Sequence, residues 1–162
     1  MTIKIFITGG TIDCERIEAG DNYIFERTHI PEMLKQARST LDIDSQVLFL
    51  KDSIHTTNED RLQILKVCKT CNEDKIIITH GTDTMELTAK ALGESELKNK
   101  TIILLGAMTP YNKENSDALF NLGCAIASVQ ILQPGIYITM NGKVFHWNNV
   151  RKNKEQGLFE TI

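Results

Sequence analysis

The sequence has little of several features that would place it in a specialised class of protein. No apolar run approaches the length of a membrane span, and a formal net charge of −3 over 162 residues gives no strong attraction to nucleic acid or to a membrane surface. Four cysteines are too few and too dispersed for a disulfide framework. The first residues also lack the pattern of a signal peptide, so we expect a cytoplasmic protein without nucleic-acid or membrane partners.

The cysteines and histidines do not indicate a metal centre. Cys68 and Cys71 form a single C-x-x-C within a predicted helix, and no second pair follows. The four histidines have no ligand spacing, and structural zinc normally takes four ligands. We therefore expect no metal, and we expect Cys68 and Cys71 to point towards the core.

Five short apolar runs alternate along the chain with helical patterns. Their nearly continuous β-branched character is typical of parallel strands that are covered on both faces. We predict an α/β fold with a doubly wound, mainly parallel sheet in one domain, residues 1–162. The predicted strands are Ile3–Thr8, Gln46–Leu50, Lys75–Thr79, Thr101–Leu105 and Gly135–Thr139.

The segments between these strands predict four helices, a lid and a hairpin. Asn141-Gly142 predicts a short hairpin near the carboxyl terminus, leading into Lys143–His146. The polar segment 13–27 has no sustained period and predicts a lid; we call it the lid segment. The helices are predicted to begin at Pro31, at the capping-box sequence Thr57-Asn58-Glu59-Asp60, at Thr82 or Asp83 (ending near Leu92), and at Ser116-Asp117.

Two threonine-rich motifs are the strongest indication of function. Thr8-Gly9-Gly10-Thr11-Ile12 follows the first predicted strand, and His80-Gly81-Thr82-Asp83-Thr84-Met85-Glu86 follows the third. The carboxyl ends of parallel strands are where open α/β sheets build ligand sites. The Gly-Gly step would let the backbone approach a ligand closely.

Together these motifs closely resemble the two signatures of the bacterial-type L-asparaginase family. The resemblance continues through Gly106-Ala107-Met108, Ser116-Asp117, Met140-Asn141 and Lys152. It implies a flavodoxin-like strand order. It covers only the amino-terminal domain of the usual enzyme, so we expect the usual carboxy-terminal domain to be absent from this chain.

The resemblance also implies the catalytic residues. Thr11 corresponds to the nucleophile, and Tyr23 to the tyrosine that helps to move its proton. Thr82, Asp83 and Lys152 correspond to a second polar triad. Lys154 is the alternative to Lys152 if the alignment slips.

The substrate-binding residues follow from the same resemblance. Asp83 corresponds to the ligand of the substrate ammonium, and Ser53 to that of the α-carboxylate. Ala107 corresponds to a residue whose backbone carbonyl accepts the scissile amide. Position 54 departs from the family pattern, because the family usually has a polar side chain there and this chain has Ile54. Either one contact to the substrate carboxylate is lost, or Asp52, His55 or another group replaces it. Gly10 completes the expected set.

The expected reaction is hydrolysis of L-asparagine to L-aspartate and ammonia through a threonine acyl-enzyme. Glutamine would be a poor second substrate, and no metal or organic cofactor is expected. Because the family's site lies at a subunit boundary, we expect a homodimer or a higher homo-oligomer.

Three alternatives remain open from the sequence. The chain could bind asparagine or aspartate with negligible turnover. It could bind a nucleotide or phosphate through Gly9-Gly10, although no dinucleotide or Walker pattern is present. Cys14 could replace Thr11 as the nucleophile.

Overall fold

The computed structural model describes residues 1–162 and contains ten strands and four helices. Single turns of 3-10 helix occur at Thr11–Asp13 and Ser53–His55. The strands are β1 (Ile3–Gly9), β2 (Arg16–Glu18), β3 (Asn22–Ile24), β4 (Ile43–Lys51), β5 (Lys75–Thr79), β6 (Thr101–Leu105), β7 (Gly135–Met140), β8 (Lys143–His146), β9 (Arg151–Asn153) and β10 (Leu158–Glu160). The helices are α1 (Ile30–Gln36), α2 (Asn58–Thr70), α3 (Met85–Gly93) and α4 (Ala118–Ile131).

The central sheet has six strands in the order β4-β1-β5-β6-β7-β8. The first five are parallel, and β8 runs antiparallel to β7 after the predicted Asn141-Gly142 turn. Taken in chain order, the parallel strands follow the flavodoxin-like pattern 2-1-3-4-5. The predicted fold class is confirmed. The order of the strands switches between β1 and β5, where such sheets form their ligand crevice.

Helices cover both faces of the sheet. Ile5 of β1 packs with α1 and α4, whereas its neighbour Phe6 packs on the opposite face with α2 and α3. Adjacent residues of a strand point to opposite faces, so an apolar run is needed to fill both layers. Cys68 is fully buried and Cys71 packs against the same core, as expected from the sequence.

Two predicted boundaries were wrong in detail. The second parallel strand begins at Ile43 rather than Gln46. Helix α3 begins at Met85, after Thr84 as its N-cap residue, and not at Thr82 or Asp83. The physical reason is that the Asp83 amide donates a hydrogen bond to the hydroxyl of Ser53 at 3.1 Å, so this stretch forms a turn against a neighbouring loop.

The predicted capping box of α2 is present. The hydroxyl of Thr57 accepts a hydrogen bond from the Asp60 amide at 3.2 Å, and the Asp60 carboxylate accepts one from the Thr57 amide at 2.9 Å. Two amides at the start of the helix are thereby satisfied. None of the four helices has the length and apolar character needed to cross a membrane.

Two small hairpins were not predicted. Strands β2 and β3 pair within the lid segment, and β9 pairs with β10 near the carboxyl terminus. The second hairpin is fixed by Phe159, which is 2% exposed and whose amide donates to the side chain of Asn141 at 2.9 Å. The backbone amide of Lys152, in β9, donates to the carboxylate of Glu86 in α3. Lys152 is thereby anchored beside the first turn of α3.

Candidate active site

The loops after β1 and β5 touch each other at two glycines. Gly10 has a φ of +81°, and a Cβ atom built on it would lie 2.4 Å from the backbone nitrogen of Gly81. The Gly10 amide also donates to the carbonyl of Lys51 at 2.8 Å. Only glycine suits this conformation and this contact. Thr11 and Thr82, which follow these glycines, are therefore brought to the same crevice.

Ser53 lies beneath the second motif. It is 1% exposed, and a Cβ on Gly81 would lie 2.5 Å from the Cβ of Ser53. Its carbonyl accepts a hydrogen bond from the hydroxyl of Thr84 at 2.8 Å. Because its own hydroxyl accepts from the Asp83 amide, the hydroxyl proton is directed elsewhere and is available to an acceptor. The Asp83 amide is correspondingly occupied by Ser53.

Thr82, Asp83 and Lys152 are brought together. The ammonium group of Lys152 donates to the hydroxyl of Thr82 and to Oδ1 of Asp83, both at 2.7 Å. The Lys152 side chain is 8% exposed, whereas that of Asp83 is 45% exposed. Lys154 is exposed, and the alternative alignment is not supported by this geometry. A charged donor held by two short bonds in a sheltered position can stabilise negative charge on a neighbouring oxygen.

Tyr23 lies in β3, on the side of the lid segment that faces Thr11. Burial raises the pKa of Tyr23, and the negative charge of Asp52 raises it further. The Thr11 hydroxyl opposes this rise, although the two side chains do not form a well-aligned hydrogen bond. Tyr23 is therefore a phenol at neutral pH, able to donate one proton and accept another.

A cavity of about 450 Å³ opens between the lid segment and the end of β4. Tyr23 and Asp52 line it, together with the side chain of Ile54, which is 59% exposed. Asp52 accepts a hydrogen bond from the Ile54 amide at 3.3 Å through Oδ1. The other carboxylate oxygen of Asp52 and the side chain of His55 are both polar groups near Ile54 in this cavity.

The loop after β6 brings Ala107 to the same edge of the sheet, where Ala107 is fully buried. Asp117, the N-cap residue of α4, and Asn121 within α4 hold this loop, and neither was expected to do so from the sequence. Asp117 accepts from the amides of Met108 and Thr109, each at 3.0 Å, and Asn121 donates to the carbonyl of Gly106 at 3.0 Å. Ser116-Asp117 was part of the sequence resemblance and was the available signal.

A buried chain of hydrogen bonds behind the second motif was also not predicted from the sequence; we call it the Arg61–Thr88–His80 relay. Arg61 Nε donates to the hydroxyl of Thr88 at 3.2 Å, and His80 bonds to Thr88 through Nε2 and to the Gly81 carbonyl through Nδ1, both at 2.8 Å. A carbonyl only accepts, so Nδ1 carries the proton and Nε2 accepts from Thr88. Burial lowers the pKa of His80 to about 4. The neutral His80 thus holds the Gly81 carbonyl in place through a hydrogen bond from Nδ1.

Cys14 does not have the surroundings of a nucleophile. It is fully buried, and its thiol donates to the carbonyl of Arg16 at 3.2 Å. Burial raises the pKa of this thiol. Because the thiolate is the reactive form, this geometry disfavours Cys14 as the attacking group.

The protein is therefore an α/β protein with a doubly wound sheet and a site at the switch point of that sheet. Polar side chains from three strand ends and from a carboxy-terminal hairpin form the site. Comparison with known families makes the assignment specific. The family described as asparaginase, N-terminal, matches residues 2–160, and the chain belongs to this family.

Individual relatives agree with this assignment. The L-asparaginase of Thermococcus kodakarensis is 32% identical over 169 residues, covering 100% of this chain and 51% of the relative. The glutaminase-asparaginase of Pseudomonas aeruginosa is 28% identical over 162 residues, covering 93% and 45%. The chain spans about half the length of the curated relatives it matches.

Solved structures show the same fold. The thermostable T. kodakarensis L-asparaginase aligns with a TM-score of 0.84 at 27% identity, over 100% of this chain and 51% of that one. The probable cytoplasmic L-asparaginase of Campylobacter jejuni aligns with a TM-score of 0.80 at 30% identity, over 93% and 49%. The strand order and the position of the crevice are therefore those of the asparaginase amino-terminal domain.

Proposed function

We propose that this chain hydrolyses the side-chain amide of L-asparagine, giving L-aspartate and ammonia through a threonine acyl-enzyme. The observation that carries the proposal is the Lys152 ammonium at 2.7 Å from both the Thr82 hydroxyl and the Asp83 carboxylate, across the crevice from Thr11. The family of the chain and the names of its relatives support the substrate class. The proposal treats residues 1–162 as one catalytic domain.

Thr11 is the proposed nucleophile. Its Oγ attacks the amide carbon, and its proton passes through the Tyr23 hydroxyl. Collapse of the tetrahedral intermediate breaks the C–N bond, releases ammonia and leaves an aspartyl ester on Thr11. The raised pKa of Tyr23 keeps the phenol protonated, so it moves a proton by donating one as it accepts another.

The Thr82–Asp83–Lys152 cluster is proposed to stabilise the negative charge that develops in both half-reactions. Lys152 donates to Thr82 and is paired with Asp83, so it contributes its charge and its orientation rather than acting as a base. Water then attacks the ester carbon with the same cluster nearby, and aspartate leaves as Thr11 regains its proton. Preorganised charge of this kind supplies much of the catalysis in acyl transfer.

Ser53 and Asp83 are the proposed ligands of the amino-acid head group. The Ser53 hydroxyl has a proton to donate to the α-carboxylate, because its oxygen already accepts from the Asp83 amide. Oδ1 of Asp83 is bonded to Lys152, which leaves Oδ2 for the substrate ammonium. Asp52 is proposed to add a second negative charge near the substrate ammonium, and Gly10 and Ala107 are proposed to contribute backbone groups.

Ammonia release from L-asparagine tests the proposal. Thr11→Ala and Thr82→Ala should each reduce kcat by about a thousandfold or more. Thr70→Ala, at the exposed end of α2, is the matched control and should retain full activity. Hydroxylamine in place of water should give aspartyl hydroxamate, as expected of an acyl-enzyme. Undiminished activity in both Thr11→Ala and Thr82→Ala would exclude the mechanism.

One feature favours a second candidate, a module that binds asparagine or aspartate with negligible turnover. The exposed apolar side chain of Ile54 lines the cavity where a polar group is usual in the family. Titration calorimetry with L-aspartate and L-asparagine, alongside the ammonia assay, separates the two. Binding without ammonia release would select the module, and L-glutamine in the same assay would measure the proposed minor activity.

A further inference from the structure

Asp13 is a buried carboxylate that the proposed reaction does not use. It is 0% exposed and lies two residues after Thr11, in the same 3-10 turn. Burial raises its pKa from 3.8 to about 6, so at neutral pH the fold holds an ionised group in an unfavourable position. Such a cost is usually offset by specific hydrogen bonds.

The partners of Asp13 lie at the far end of the lid segment. The backbone amide of His29 donates to Oδ1 at 2.7 Å, and the hydroxyl of Thr28 lies 3.1 Å from both carboxylate oxygens. The same hydroxyl accepts from the amide of Ile30 at 3.2 Å, at the start of α1. One side chain therefore joins the beginning of the lid segment to the residues that follow its end.

A few other polar contacts join the lid segment to the rest of the chain, among them an ion pair between Arg27 and Glu32 of α1. Strands β2 and β3 pair with each other and not with the central sheet. Glu15 donates its amide to Ile24 at 2.8 Å and accepts from the side chain of Asn112 at 2.8 Å, and its carboxylate lies 3.1 Å from Nε2 of His29. These contacts also lie where the lid segment begins and ends, which we call its base. The orientation of the β2–β3 hairpin therefore depends on the contacts that close this base.

We propose that Asp13 is a positioning residue that closes the base of the lid segment and so holds Tyr23 over Thr11. The inference rests on the proposed function for its catalytic consequence. Its structural part, the closure of residues 13 to 29, stands independently. Asp13 acts on the reaction through Tyr23 and makes no contact with substrate.

Hydrogen exchange measured by mass spectrometry on the full chain tests the structural part. In Asp13→Ala, amides of residues 14–27 should exchange on the order of tenfold faster than in the wild type, while those of β5 and β6 stay unchanged. Asp13→Asn should restore most of the protection, because its carbonyl can accept from His29 and its amide can donate to Thr28. Asp44→Asn, in the exposed edge strand, is the matched charge control.

Kinetics test the consequence for Tyr23. Asp13→Ala should lower kcat on the order of tenfold with KM changed less than about twofold. The double variant Asp13→Ala/Tyr23→Phe should be no slower than Tyr23→Phe alone, because both changes remove the same contribution. Independent, additive losses would overturn the role assigned through Tyr23.

Two further outcomes are decisive. If the amides of residues 14–27 exchange as slowly in Asp13→Ala as in the wild type, the inference is overturned. If Asp13→Ala does not fold, Thr28→Val takes its place and should accelerate lid exchange about threefold; unchanged exchange would overturn the inference there as well. If the wild type releases no ammonia, the exchange experiment still decides the closure, and only the proposed function fails.

Discussion

At the scale of single residues, Lys152 is the group whose contacts the structure defines best in the proposed site. One ammonium group is shared by a hydroxyl and a carboxylate, and its side chain is 8% exposed. A sheltered charge of this kind interacts more strongly with its neighbours than one in water. Lys154, two residues further on, is exposed and provides an internal comparison.

Lys152→Met should reduce kcat for asparagine hydrolysis on the order of a hundredfold or more. The change keeps the length of the side chain and removes its charge and its donors to Thr82 and Asp83. Steady-state ammonia release measures the effect, with Lys154→Met as the control that should remain active. Equal losses of kcat in Lys152→Met and Lys154→Met would show that the overall positive charge of this segment, and not the Thr82–Asp83–Lys152 cluster, supports the reaction.

His80 should make stability depend on pH. Its folded-state pKa of about 4 lies below the ordinary 6.5, so between these values the unfolded chain binds more protons and stability falls as pH is lowered. The contribution is about 3 kcal/mol across the window. Asp13, whose folded pKa is raised to about 6, acts in the opposite sense.

The His80 contribution is isolated by comparing two proteins. The difference in unfolding free energy between the wild type and His80→Gln, from urea titrations at pH 7 and pH 4, should shift by up to about 3 kcal/mol in favour of the variant at pH 4. His55→Gln, at an exposed position, should give no such shift. A pH-independent difference for His80→Gln would contradict the buried neutral histidine.

At the scale of elements, the contact between the loops after β1 and β5 decides whether a site exists. Gly10→Ala places a Cβ 2.4 Å from the Gly81 nitrogen at a φ of +81°, whereas Gly20→Ala has a φ of +76° with nothing within 4 Å. Both share a backbone cost of about 1 kcal/mol. Gly10→Ala should cost at least about 2 kcal/mol more, measured by urea unfolding. Equal costs would mean that the loops separate easily.

Helix α3, which follows the second motif, shows that contacts with a neighbouring loop can change the residue at which a helix begins. Hydrogen bonding between Ser53 and the Asp83 amide holds residues 81–84 as a turn, so α3 starts at Met85. Within α2 the predicted cap is present, yet the apolar side chain of Leu62 is 63% exposed. Period alone does not separate the edge of a buried stripe from its centre.

At the scale of the whole molecule, we predict self-association. The sequence resemblance implies a site at a subunit boundary, and the exposed side chains of Asp83 and Ile54 are accessible to a second copy of the chain. Sedimentation equilibrium should give at least twice the mass of a single chain. A monomer with full asparaginase activity would contradict this prediction.

The sequence by itself determined the layers and the location of the crevice. Continuous β-branched runs are typical of strands buried on both faces, and motifs that directly follow two such strands lie at the same edge of a parallel sheet. That reasoning predicts Thr11, Thr82 and Asp83 in one crevice, and the contact between Gly10 and Gly81 supports it. Their chemical roles remain predictions.

Only the tertiary structure decided which contacts hold the residues of that crevice in place, although the sequence resemblance had already named Lys152. Lys152 arrives on a hairpin held by Phe159 and Glu86, and Asp13 reaches across the lid segment to His29. The Arg61–Thr88–His80 relay likewise joins two helices and a loop. Contacts between residues far apart in sequence depend on packing and on burial, which local periodicity and residue type do not encode.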